Sequence, residues 1–380
     1  MPRPMRSPWA PPRTLGTPGT PGTPAPQDRR RRRRASVTIG AAALCVLTGT
    51  APAQAAGPWP SAPGGKLTMT GDVGDHVPGV VDDPVHDPTL FSDRGTYYVF
   101  STGIANPQDP GGIFVRRSTG SLAGPWESVG AIALPEWTRA YGVGHLWAPH
   151  VVERAGTFYL YYAASSFGTN DSAIGVATSR TPGDLDSWVD HGPVLRSTTA
   201  DDHNAIDPQV FSARGKWYIA FGSFWTGVKV QELRGMTRPV GPVLDLASNP
   251  VDPPNAIENP QVFQHGGYWY LTVSWDSCCQ GVNSTYKTVV GRSTSPTGPF
   301  VDREGRAMTD GGGTLLLDRR GNQVGTGALD VLQERGRTYA VHHYYDADTG
   351  GTIRMQIREV QWRDGWPTFG YGPGDGAPPA

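Results

Sequence analysis

Cysteine is scarce in this chain: three among 380 residues, at positions 45, 278 and 279. The last two are adjacent, so a bond between them closes no loop and cannot staple the fold by restricting the unfolded chain. The pair is compatible with a vicinal disulfide or with two thiols. A thiolate zinc site would need spacer residues and further partners that the pair lacks. No apolar run reaches bilayer length either, since the mostly apolar stretch 35–47 is too short to span one. An excess of positive charge is also missing. The formal net charge is −1, and removal of residues 1–55 leaves 24 basic and 33 acidic residues, a charge of −9. Such a balance repels polyanions, so nucleic acid is not an expected partner.

What the chain does have is punctuation and aromatics: 50 Gly, 36 Pro, 12 Trp and 14 Tyr. That mixture reads as many short strands joined by tight turns, an all-β fold. Residues 1–56 are different material. An unbroken run from Arg29 to Arg34 precedes the apolar stretch, which ends in small residues with an Ala-Gln-Ala site. Basic, then apolar, then small is the order of a secretion signal, with cleavage expected near Ala55. The mature protein is then extracellular and free of the membrane. Paired arginines also fit a twin-arginine signal, and the export route stays open. The expected organisation is an N-terminal extension with signal at 1–56, a linker at 57–81, one domain at 82–370 and a tail at 371–380.

Within the domain a signal of glycine, two residues, then tyrosine occurs five times, beginning at Gly95, Gly156, Gly215, Gly267 and Gly336. Seven positions before the first four stand Pro88, Pro149, Pro208 and Pro260, and before the fifth stands Leu329. A turn glycine followed by an aromatic strand is a hairpin signal. Each unit has room for four strands, and five such units predict a five-bladed β-propeller. The first strand of each blade lines the channel, so residues just before those prolines should meet at one mouth.

The pre-proline positions are Asp87, Ala148, Asp207, Asn259 and Ala328, with Glu258 one residue earlier in the fourth unit. A single Asp-Pro is commonly a solvated turn. Three acids at equivalent places with apolar neighbours, as in Ala-Ile-Asp207 and Ala-Ile-Glu258, point instead to paired carboxylate chemistry. Partly buried acids held together split their pKa values, leaving one as base and another as acid.

These residues carry a resemblance. His-Asp87-Pro, Trp147-Ala-Pro, Ala-Ile-Asp207-Pro, Ala-Ile-Glu258, the run Ser172–Ser179 and Cys278-Cys-Gln-Gly-Val-Asn-Ser-Thr-Tyr286 together resemble glycoside hydrolase family 43, and within it the endo-1,5-α-L-arabinanases. The likeness covers about 82–366. It implies a five-bladed propeller acting on arabinan or arabino-oligosaccharides with inversion of configuration. It implies Asp87 as the base that activates water, Glu258 as the acid that protonates the leaving oxygen, and Asp207 as the group that orients the acid and raises its pKa. Inversion wants the working carboxyls roughly 6.5–9.5 Å apart. His86, Trp147 and Phe167 are the implied substrate-binding residues, aromatic faces stacking on the apolar side of a sugar. A monomer is expected.

The chain also departs from that pattern. Where such enzymes carry Gly-Xaa-Gly-His beside a channel metal, this one reads Gly325-Thr-Gly-Ala328, and His150 replaces the aspartate that usually follows Trp-Ala-Pro. No cofactor is required for the chemistry; a structural calcium or sodium ion is left open, with Asp330 and His343 as further candidate channel groups. An exo-acting arabinofuranosidase or β-xylosidase would use the same acids, and a non-catalytic carbohydrate-binding propeller would hold them apart.

Overall fold

A computed structural model of the chain describes the backbone at 72–74 and residues 84–103, 111–250 and 254–369. All lie in one compact unit, 60–380. The expected signal segment falls outside the described residues. Among those residues no helix is long and apolar enough to cross a membrane.

Five four-stranded antiparallel sheets follow one another along the chain. Their inner strands are Thr89–Asp93, Trp147–Arg154, Gln209–Ala213, Ile257–His265 and Gln323–Glu334. This is the five-bladed propeller. The repeated glycines do one job in it. Each is the second residue of a two-residue loop between the first and second strands of a blade, as in Asp93↔Thr96 around Arg94-Gly95. Both loop residues have positive φ, 47° and 84° there, 56° and 87° at Gly266-Gly267. Such turns match the twist of the strands they join.

The ring closes with a strand that sequence patterning did not reveal. Asp72–Gly74, inside the segment read as a linker, pairs with Thr352–Glu359 as the outer strand of the fifth blade. The first and last parts of the domain are therefore hydrogen-bonded in one sheet. The apolar core is likewise distributed around the ring. Five buried clusters sit in the five seams between neighbouring blades, for example Phe91, Phe100, Leu160 and Tyr162 between blades one and two. Val341, Ile357, Leu90 and Val99 fill the seam between blades five and one. Each such side chain contributes about 1.5–3 kcal/mol on burial, so the seams hold the blades together and leave the channel free for polar groups.

Two polar rings line that channel. In the first, Asp87, Ala148, Asp207, Asn259 and Ala328 all adopt left-handed backbone, with φ between 40° and 54°. Aspartate and asparagine tolerate this region; alanine is strained there. The side chain of a preceding blade satisfies the exposed N–H: Ala148 donates to Thr102 Oγ1 at 2.8 Å, Asn259 to Asp207 Oδ2 at 3.1 Å and Ala328 to Ser274 Oγ at 3.0 Å. Two residues further along each strand stand Thr89, His150, Gln209, Gln261 and Asp330, all buried. Several of these bind the backbone of the next blade. His150 Nε2 donates to the Val210 carbonyl, Gln209 bonds to Val262 at both its N–H and carbonyl, and Asp330 Oδ2 accepts from Thr89 Oγ1 and the Leu90 N–H.

Candidate active site

The first ring holds Asp87 and Asp207, and Glu258 precedes its member Asn259, which brings the three acids together. Asp87, Asp207 and Glu258 lie close enough to act on one another electrostatically, each from a different blade. Their surroundings separate them. Asp87 Oδ2 receives the Thr102 hydroxyl at 2.6 Å and faces His86 Nδ1 at 2.8 Å, while His343 Nδ1 stands 3.7 Å from Oδ1. Burial alone would raise this carboxyl, but His86, His343 and Thr102 together hold it down at about 2. His86 shows the reciprocal effect. Burial works against its protonation, yet the neighbouring carboxylate outweighs burial and raises its pKa.

Glu258 goes the other way. Burial lifts its pKa, and the charge on Asp87 adds to the lift against hydrogen bonds from the Ser223 and Tyr286 hydroxyls. Ser223 Oγ donates to Oε2 at 2.8 Å. Asp207 is also pushed well up, by burial first and then by the charges of Glu258 and Asp87. Its Oδ2 holds the N–H of Asn259, the residue immediately after Glu258, and so fixes the backbone that carries that acid. The trio thus keeps one firm negative charge, on Asp87, beside a carboxyl disposed to stay protonated.

The aromatic residues divide. Trp147 is half-buried and its ring lies 4.9 Å from that of Phe167. Phe167 is 75% exposed, so it packs no seam between blades and offers its face to solvent. Thr102 joins this corner to the acids, because the same hydroxyl that donates to Asp87 accepts the N–H of Ala148, next to Trp147. Trp225, 38% exposed and two residues from Ser223, provides another aromatic face that sequence reasoning did not single out.

Sequence reading also missed Thr102, Ser223, Tyr286 and Tyr345. Tyr286 belongs to a stack: His86 lies on His343 with ring centroids 3.9 Å apart, and His343 lies on Tyr286 at 5.7 Å. Glycine explains how Tyr286 fits, since a Cβ at Gly327 would stand 2.1 Å from its ring. Cys278 and Cys279 form a disulfide, which resolves the two alternatives left by their spacing.

The channel lacks the histidine ligand that the resemblance implies. Ala328 has no donor atom where a histidine ligand is expected. The nearest cluster of ligand types is His86, Asp87 and His343. There His343 Nδ1 accepts the Asp87 N–H at 3.2 Å, which puts the ring proton on Nε2, the opposite of a ligand's free lone pair. His86 Nδ1 is engaged with Asp87, and its Nε2 with Tyr345 Oη at 3.0 Å. Asp330 Oδ2 and His150 Nε2 tie blades together, whereas His150 Nδ1 and Asp330 Oδ1, 3.8 Å apart and buried, have no hydrogen-bond partner among the described residues.

Residues 79–367 match the family described as Glycosyl hydrolases family 43. The chain belongs to that family. It is 38% identical over 299 residues to the extracellular endo-α-(1→5)-L-arabinanase 1 of Bacillus subtilis, covering 77% of this chain and 89% of that protein. It is 37% identical to the extracellular exo-α-(1→5)-L-arabinofuranosidase ArbA of Cellvibrio japonicus, covering 74% and 85%. Among solved structures, the α-L-arabinanase of Cellvibrio cellulosa complexed with arabinohexaose superimposes with a TM-score of 0.68 at 35% identity, covering 76% of this chain and 96% of that one. The chain is a glycoside hydrolase on the family's propeller.

Proposed function

We propose that this glycoside hydrolase is secreted and cleaves internal α-1,5-L-arabinofuranosidic bonds of arabinan with inversion. The observation that carries this reading is a pair of carboxyls at one channel mouth whose environments push them in opposite directions, Asp87 down to about 2 and Glu258 up. That division is what an acid/base pair needs. Asp87 removes a proton from a water molecule as it attacks the anomeric carbon. Glu258 delivers its proton to the departing oxygen. Asp207 positions Glu258 through the Asn259 N–H, and the charge on Asp87, with burial, favours the protonated form of Glu258. His86 orients Asp87, and Trp147 and Phe167 offer faces to the sugar, with exposed Trp225 as a further contact for a long chain. No bound metal is needed for any of these steps. The names of the relatives support the substrate, and those described as extracellular support secretion.

The Cellvibrio japonicus relative favours a second reading, removal of units from a chain end by the same residues. Digestion of debranched arabinan separates the two. Internal cleavage gives a ladder of oligomers early, with a steep fall in viscosity. Arabinose or one short product from the first minutes would replace the endo reading by the exo one, and no release of sugar at all would leave a binding propeller.

A further inference from the structure

Behind the acids runs a hydrogen-bond chain whose parts are far apart in sequence. An ionised Asp87 only accepts, so His86 Nδ1, 2.8 Å from its Oδ2, carries the ring proton. Above its raised pKa the His86 ring is neutral, its Nε2 is then an acceptor, and the Tyr345 hydroxyl donates to it at 3.0 Å. The Tyr345 oxygen in turn accepts the backbone N–H of Cys279 at 2.9 Å. Tyr345 is buried, so its hydroxyl depends on these two partners, while Cys279 is exposed.

Cys279 is what points that N–H inward. Its φ is 64°, in the left-handed region that a cysteine adopts at a cost. The bond to Cys278 closes a small ring with the intervening peptide and restricts the backbone there. Cys279 Sγ also lies 3.8 Å from His86 Nε2, so the disulfide stands against the histidine itself. Opening the ring frees Cys279 to leave the strained conformation and to turn its N–H away from Tyr345.

We propose that Tyr345, held by the Cys278–Cys279 loop, is a positioning residue that fixes the orientation of the His86 ring and thereby of Asp87, so that hydrolysis depends on the closed disulfide. The proposal rests on the reading of Asp87 as the base. Tyr345 need not touch the sugar. Reduction by a dithiol such as dithiothreitol breaks the S–S bond and forms two thiols; the dithiol supplies two electrons and two protons and closes to its own disulfide.

The test combines kinetics with a readout that does not depend on activity. Wild type, Tyr345→Phe and the double variant Cys278→Ser, Cys279→Ser are assayed on debranched arabinan with and without dithiothreitol, and the His86 ring is followed by nitrogen-15 NMR, with thermal unfolding as a check on the fold. With its ring neutral, wild type shows the Nδ1–H tautomer with a hydrogen-bonded Nε2. Tyr345→Phe keeps that tautomer but shifts the Nε2 resonance to that of an unbonded acceptor, and kcat falls by ~10- to 100-fold with KM little changed, part of the ~10²–10⁴ that a positioned general base contributes. Reduced wild type behaves like the double variant, which ignores reductant, and reoxidation restores the wild type. An unchanged Nε2 resonance in Tyr345→Phe overturns the proposal, as does a shifted resonance with unaltered kcat. A shifted resonance in an enzyme that never hydrolyses arabinan overturns the substrate reading and leaves the positioning intact.

Discussion

Asp87→Asn lowers kcat on every arabinofuranoside by about 10²–10⁴ whatever the leaving group, the range that a general base supplies. Asparagine matches aspartate in size and tolerates the left-handed backbone at this position, so the fold is retained. Its amide cannot take a proton from water. In the native chain the carboxyl is ionised above about pH 2 because His86, His343 and Thr102 together outweigh its burial. The base is therefore ready throughout the ordinary range, and its replacement produces a deficit that no change of pH recovers. Stopped assays with linear arabinan and with an aryl arabinofuranoside check this. Loss on the polymer alone would mean that Asp87 binds chain rather than activating water.

Glu258→Gln gives the complementary pattern. On arabinan, whose leaving oxygen needs a proton, kcat falls by ~10³-fold or more; on a dinitrophenyl arabinofuranoside, whose leaving group departs without one, most of the rate survives. The pH profile follows from the same carboxyl. Burial, aided by the charge on Asp87, raises the Glu258 pKa, so this group holds its proton at low pH and loses it as pH rises through that raised value. The native enzyme accordingly works above the Asp87 pKa of about 2 and declines on the alkaline side when Glu258 ionises. In the glutamine variant, assayed on the activated substrate, that alkaline limb disappears. Equal loss on both substrates, or an alkaline limb that stays in place, would assign the proton donor elsewhere.

The fold was legible because its punctuation is local. A two-residue turn with two positive φ angles needs glycine, and five such turns repeat at Gly95, Gly156, Gly215, Gly267 and Gly336. The acids were legible for a related reason: Asp87 and Asp207 stand at the same offset from those glycines and Glu258 one residue further, so aligning the turns aligns the channel positions. What stayed hidden depends on contacts across the ring. Asp72–Gly74 is three residues long, and only its pairing with the fifth blade makes it a strand. Left-handed backbone at Ala148 and Ala328 leaves no trace in residue type, whereas at Asp87 and Asp207 it falls on aspartate, which tolerates it. His343 and Tyr345 reach the first blade across 256 and 259 residues of sequence, a distance at which no spacing rule operates. The state of the adjacent cysteines was undetermined because their spacing is compatible with a disulfide and with two thiols alike.

The assignment of Asp87 as a base acting on water, with no covalent sugar on the protein, is tested most directly by the anomer that forms first. Proton NMR in the opening seconds of arabinan digestion, before mutarotation, reads the configuration at each new reducing end. The arrangement described here predicts the β-anomer, inverted from the α-linked substrate, as the initial product. Initial appearance of the α-anomer would contradict it, because retention requires a nucleophile where Asp87 is placed as the base.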